Sequence, residues 1–323
     1  MVGDREHPDP AVGRPAQDRG GGVAAVGGVG VDVEVDRIAH RLPAPRLAYN
    51  AFATPALDMA REVELCAAAG FAAYGVLRSK LDGLPPPAAR AALAGAGLSP
   101  TALNIAGFFT LPDRDRRVDD ARRAVAVAAE LGAPAVTIVS GPDEGGDGLP
   151  RLRDGLERVL PDAAAAGVAL ALEPLHPVYA EASVVLTLDA ALDVVEAIGS
   201  PWVRVTVDLY HLWWDRGLPA AIRRAAGRIA AVHVADWRLP TRSLNDRARA
   251  GRGAIPLAPL LGAVLDAGFA GPLESEVLSD ELGALDPATT IAWHYADLAA
   301  VAASANASRR SASTGRPRSS PSS

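Results

Sequence analysis

Cysteine is nearly absent. Cys66 is the only one in 323 residues, which excludes an internal disulfide, a cysteine zinc cluster and a CxxC redox pair. It lies in the apolar helical run EVELCAAAG, so an inert core thiol is expected there. Long apolar runs are missing as well. The uncharged stretch Val23–Val31 has nine residues and is broken by glycines, whereas a helix needs about 20 to span a bilayer. The opening MVGDREHPDP is acidic and carries prolines, unlike the basic start and apolar run of a signal peptide. No membrane partner is expected, and a soluble, cytoplasmic protein is the default. Glycine and proline, 31 and 26 residues, make up just under 18 % of the chain, below the roughly 25–30 % of low-complexity sequences. With 49 % apolar residues, the chain can bury a large core.

Positive charge is scarce in the body of the chain. The net charge is −6, but residues 1–41 carry five Arg against seven acids, and residues 303–323 carry four Arg and no acid. The part between them is therefore near −8. Such a body argues against nucleic acid as a partner, because binding it calls for a basic face.

Length alone suggests about two domains, although one α/β barrel commonly takes about 250 residues. Residues 1–41 contain Gly20-Gly21-Gly22 and scattered charge, and they read as a disordered extension or a misplaced translation start. Residues 304–323 are mostly Ser, Arg, Pro and Gly with almost no bulky apolar residue, and read as a disordered tail. Residues 42–303 alternate short apolar runs with amphipathic segments closed by glycines such as Gly70, Gly132 and Gly167. Strands are expected at Arg46–Phe52, Ala72–Leu77, Ser99–Ile105, Ala135–Ser140, Val168–Glu173, Val203–Asp208, Ile229–Val234 and Pro272–Val277. Eight strands alternating with eight helices imply parallel strands and crossover helices. That count predicts a single (β/α)₈ TIM barrel. A dinucleotide-binding sheet would show GxGxxG after its first strand, where this chain has AFATPALD.

Barrel chemistry sits at the C-terminal ends of the strands, and here the last four strands end in ionisable residues. The fifth reads VALALEPLHP and ends at Glu173; the sixth reads VRVTVDLYHLWWD, with Asp208 and then His211. The seventh reads IAAVHVADW, with His233 and Asp236, and the eighth GPLESEVLS, with Glu274 and Glu276 on one face. Carboxylates and an imidazole converging above the axis form an oxygen-rich ligand set suited to Mn²⁺, Mg²⁺, Co²⁺ or Zn²⁺. Trp213 and Trp214 can wall such a pocket or simply pack beneath a loop.

The segments EPLHP, VDLYHLWWD, HVADW, DRARAGRGAIP and ESEVLS together resemble the sugar phosphate isomerase/epimerase family, the xylose isomerase-like barrels, over about residues 46–300. The resemblance implies one divalent ion held by Glu173, Asp208, His233 and Glu276, with Glu274 as a supporting carboxylate. It implies substrate contacts from His211 and Arg247, and Asp236 and Trp213 join them as pocket residues; His176 reads either as a pocket residue or as a loop histidine capping the Pro174–Pro177 turn. It also implies a sugar, ketose or polyol-derived small molecule as substrate, isomerised or epimerised through an enediolate with Glu173 and Glu276 as acid and base. The chain departs from the family pattern in Ala250-Gly251-Arg252-Gly253 and in SDELGALDP after ESEVLS. Both loops shape the pocket, so substrate identity is open. A dehydratase or lyase on the same barrel, or a non-catalytic carbohydrate-binding barrel, are the alternatives. An apurinic-site endonuclease would need further zinc-binding histidines and a basic groove. Self-association into a homo-oligomer is left open.

Overall fold

The computed structural model describes residues 45–243 and 245–314. The expected extension at 1–41 and residues 315–323 lie outside the described residues. Eight strands appear at the expected places: β1 Leu47–Asn50, β2 Ala73–Leu77, β3 Ser99–Gly107, β4 Ala135–Val139, β5 Ala169–Leu172, β6 Val203–Asp208, β7 Ile229–Val234 and β8 Leu273–Ser275. Each pairs in parallel with its neighbours, and β1 pairs with β8 to close the barrel. The crossover helices are α1 Met59–Ala69, α2 Pro86–Gly95, α3 Arg114–Leu131, α4 Gly148–Ala166, α5 Leu188–Ile198, α7 Leu218–Arg224 and α8 Leu257–Asp266. Two short helices, α6 Leu209–Leu212 and α9 Asp280–Gly283, lie in the loops after β6 and β8, and α10 Pro287–Thr314 ends the described chain.

Local chemistry sets the helix ends. Asp58 caps α1, its carboxylate accepting from the N–H groups of Ala60 and Arg61. Gly70 stops α1 with φ 101°, a left-handed conformation that glycine adopts at little cost. Cys66 on α1 is buried, and burial pushes its thiol up, as an inert core cysteine requires.

The main core fills the space between the strands and the helices. A second, small cluster of Ala102, Ala135, Ala169 and Ala171 is separate from it. Register places Ala135 beside Ala169 and Thr137 beside Ala171, and alternation along β5 puts Ala169, Ala171 and Glu173 on one face. Small side chains low on this inner face leave room above them for buried polar ones, among them Asn50, Thr137 and Glu274.

The C-terminal boundary requires correction. The expected tail from residue 304 is helical as far as Thr314, with Ala305 and Asn306 buried and Arg309 paired to Asp266 at 2.5 Å. Alanine and serine are small enough to pack closely, so a segment without bulky residues still joins the core. A chain ending at Ala303 should therefore melt about 5 °C below one ending at Thr314, from about 2 kcal/mol of lost packing. Equal melting temperatures would show that roughly the last three turns of α10 contribute nothing.

His294 on α10 gives the fold an acid sensitivity. Its ring is buried 5.6 Å from that of Tyr49, and neither nitrogen has a hydrogen-bond partner among the described residues. Burial, helped by nearby Arg249, lowers its pKa to about 3. The unfolded chain takes up a proton near pH 6.5 that the folded state refuses, so stability is full above that pH and drains as pH falls toward 3. The loss attributable to this one residue is about 2 kcal/mol at pH 5. Urea unfolding of His294→Leu at pH 5 and 7.5 should show a shallower pH dependence than the native chain by about that amount; an unchanged slope would remove His294 from the account.

Candidate metal centre and active site

The mouth of the barrel collects the ionisable ends of β5 to β8. Glu173 and Glu276 lie one residue beyond their strands, yet their N–H groups still donate to the neighbouring strands, to Ile138 at 2.9 Å and Val234 at 3.0 Å. Asp208 closes β6 in register with His233 of β7, and His233 is in register with Glu274 of β8. All of these side chains are buried.

One ligand-type atom each from Glu173, Asp208 and His233 lie within 4.8 Å of one another. Nδ1 of His233 is 2.9 Å from Glu173 Oε1 and 3.8 Å from Glu276 Oε2. Its Nε2 faces Glu274 Oε1 at 3.7 Å, so the two glutamates of β8 address opposite nitrogens of one ring. Glu276 Oε2 also accepts from Arg247 at 2.8 Å, and the same guanidinium nitrogen is 3.6 Å from Asp208 Oδ2.

Charge is crowded here. Burial raises the Asp208 carboxyl well above its ordinary value, and burial pushes that of Glu274 up to about 7. Burial also opposes charge on Glu276, but His233 and Arg247 outweigh it and hold its carboxyl low. For His233, burial is outweighed by Glu276 and Glu173, which raise the imidazole well above its usual value. Asp208 Oδ2 is buried with no hydrogen-bond partner among the described residues, which is costly for a carboxylate oxygen unless a cation takes it. Three carboxylates and one imidazole fit a divalent ion of hard or borderline type.

His211 lies at the edge of this group on α6. Its Nδ1 accepts from the N–H of His176 at 3.3 Å, and its Nε2 stands 3.4 Å from Arg247 Nη2 and 3.5 Å from Asp208 Oδ2. Burial and the charge of Arg247 hold its pKa well below the usual value, so it is neutral. Arg247 is itself buried, with its guanidinium 4.2 Å above the Tyr210 ring. The ring of Tyr179 meets His211 edge-on at 5.1 Å.

A profile of xylose isomerase-like TIM barrels matches residues 63–298. The chain belongs to the xylose isomerase-like TIM barrel family. Among solved structures, a protein of Sinorhizobium meliloti 1021 is 36 % identical, covering 79 % of this chain and 98 % of that one, with a TM-score of 0.75. An L-ribulose 3-epimerase is 22 % identical over 86 % of this chain and 100 % of its own, with a TM-score of 0.71. A protein named IOLI, described with a bound zinc atom, is 21 % identical over 80 % and 98 %, with a TM-score of 0.72. These last two likenesses are of fold. No curated protein matches the chain.

In this family member, Glu173, Asp208, His233, Glu276, His211 and Arg247 lie together at the barrel mouth. Asp236, His176 and Trp213 have other contacts. Asp236 is committed to its own loop: its carboxylate accepts from the N–H groups of Trp237, Gly253 and Ile255 at 2.8, 2.9 and 2.8 Å. The ring of His176 caps the turn Pro177–Tyr179 by accepting from Val178 at 3.1 Å, and stands between Trp237 and Trp214 on the rim. Trp213 packs against the core and against Trp237 of the rim, at 5.8 Å, whereas Trp214 is 38 % exposed.

Other residues carry no sequence signal beyond polarity or size. Asn50, at the end of β1, donates to both Glu274 and Glu276, at 2.7 and 3.1 Å. Thr101 donates to the other oxygen of Glu274. Gly75 of β2 is where a Cβ would overlap the Glu274 carboxylate. Gly75→Ala should push that carboxylate off Asn50, Thr101 and His233, and weaken metal binding about 10–100-fold, as loss of a supporting residue does. Metal content after dialysis reads this, and an unchanged content would mean that Glu274 has room to move.

Proposed function

We propose that this protein is a divalent-metal-dependent isomerase or epimerase acting on a sugar, ketose or polyol-derived small molecule. The observation that carries the reading is that Glu173 and Glu276 both reach His233 Nδ1, at 2.9 and 3.8 Å. Glu173, Asp208, His233 and Glu276 would hold the ion, which supplies electrostatic stabilisation for an oxyanion.

The chain's own residues do the remaining work. Glu276, kept ionised by His233 and Arg247, takes the proton from the carbon beside the substrate carbonyl, and Glu173 returns one from the other side. Neutral His211 and the guanidinium edge of Arg247 face the substrate oxygen on which charge develops. Trp214, Trp237 and His176 form an aromatic rim beside this group and would limit water at the reacting carbon.

The test is incubation of the metal-loaded protein with a panel of ketoses and polyols in deuterated water. Deuterium should enter at the carbon beside the carbonyl, and chelator should abolish its entry. Net loss of water from a substrate would make the protein a dehydratase. Tight binding of one sugar with neither turnover nor exchange would make it a carbohydrate-binding barrel.

A further inference from the structure

Lys80 is the only lysine in the chain; the other 31 of its 32 Lys and Arg residues are arginines. Its side chain is 2 % exposed. The ammonium meets three acceptors, the carbonyls of Thr54 and Leu57 at 2.7 Å each and Glu62 Oε2 at 2.6 Å. An ammonium has three N–H donors and no acceptor, so this group is saturated. A planar guanidinium with five donors does not match such a tripod. The one lysine stands where arginine cannot replace it.

Glu62, fully buried on α1, also accepts from the hydroxyls of Thr54 and Tyr74. The Tyr49 hydroxyl shares Thr54 Oγ1 at 3.0 Å. The network thus ties β1, α1, β2 and the turn after β2 to the loop that follows β1. That loop leads directly to the metal centre. Leu57 N–H donates to Thr54 O at 3.0 Å, Thr54 N–H to Ala51 O at 3.4 Å, and Phe52 N–H to Asn50 Oδ1 at 3.0 Å. Because Oδ1 of Asn50 serves Phe52, its amide nitrogen faces Oε1 of both Glu274 and Glu276. Glu276 Oε2 is then the oxygen turned to His233 and Arg247.

We propose that Lys80 is a positioning residue for the metal centre. It locks the loop 51–57, the loop orients Asn50, and Asn50 sets which oxygen of Glu276 faces the site. The inference rests on the metal-dependent reading of that centre.

Co²⁺ alone is the probe, read by its visible absorption and its affinity. Lys80→Met leaves Glu62 unpaired in the core and is prone to misfold. The double variant Lys80→Met/Glu62→Gln removes both charges and keeps an amide oxygen for Thr54 and Tyr74. It should bind Co²⁺ about tenfold more weakly and with altered absorption, in line with the loss of a supporting residue. Asn50→Leu should do the same, and the combination should add little, because both act by one route. Lys80→Arg should fail to restore native binding. A double variant that melts lower but keeps native Co²⁺ affinity and absorption overturns the inference and leaves a structural role. Acylation by an N-hydroxysuccinimide ester, followed by mass spectrometry, should modify Lys80 in urea but leave it untouched in the folded protein; equal rates also overturn it. Native protein that binds no Co²⁺ overturns the metal reading and this inference together, while the acylation result still judges the lock itself.

Discussion

Purified protein should hold close to one divalent ion per chain, and Glu173→Gln or His233→Ala should lose it. Glu173, Asp208 and His233 bring ligand-type atoms within 4.8 Å of one another, close enough for one ion to be shared among them. Removing a direct ligand takes away a bond as well as its charge. The effect should therefore exceed the 10–100-fold that loss of a supporting residue costs. Glu274→Gln is the informative control, because its carboxylate faces the far nitrogen of His233 and is expected to weaken binding without abolishing it. Elemental analysis after dialysis reads all three variants. Full metal content in Glu173→Gln or His233→Ala would sink the ligand assignment, and loss in Glu274→Gln equal to that in Glu173→Gln would blur the line between ligand and support.

The acidic mouth of this barrel was legible in the sequence because each of its residues interrupts an apolar strand at a fixed end. VALALE, VRVTVD, IAAVHVAD and PLESE all put ionisable residues where the strand should stop, and charge there demands a partner. What was not legible depends on contacts between strands distant in sequence. Asn50 is an ordinary polar residue until β1 pairs with β8 and brings it to Glu274 and Glu276. Gly75 is needed for space, and no local pattern records that its neighbour is Glu274. Asp236 shows the converse: it has the residue type and position of a pocket group, but the N–H groups of its own loop engage its carboxylate. For His176 the sequence offered both a pocket role and a turn cap, and its ring makes the cap while standing on the aromatic rim. Lys80 illustrates a third case: its rarity is visible in the chain, but its meaning needs the three acceptors around it. The end of α10 was missed because alanine and serine carry little periodicity, although Ala305 is fully buried.

Glu276→Gln should slow metal-dependent exchange of the substrate proton with solvent by about 10²–10⁴-fold, the usual contribution of a positioned acid or base. The substitution is nearly isosteric. Its amide oxygen can still face the site, and its bond partner Arg247 remains, so ligand binding should survive in weakened form. What disappears is the ability to accept a proton: a carboxylate beside Arg247 and His233 is ionised, whereas an amide has no basic lone pair to offer. Measuring exchange at saturating metal separates this loss from any loss of the ion. Glu173→Gln serves as the partner experiment, since a two-glutamate mechanism predicts that isomerisation or epimerisation fails in both variants while one of them can still wash deuterium into the starting substrate from its own side. If turnover in the native protein proceeds with no solvent deuterium in the product, a hydride moves between adjacent carbons, and the isomerase reading stands without the two glutamates as proton carriers. If Glu276→Gln exchanges at the native rate, the base is another group, and the pairing of Glu173 with Glu276 at His233 is a matter of metal binding alone.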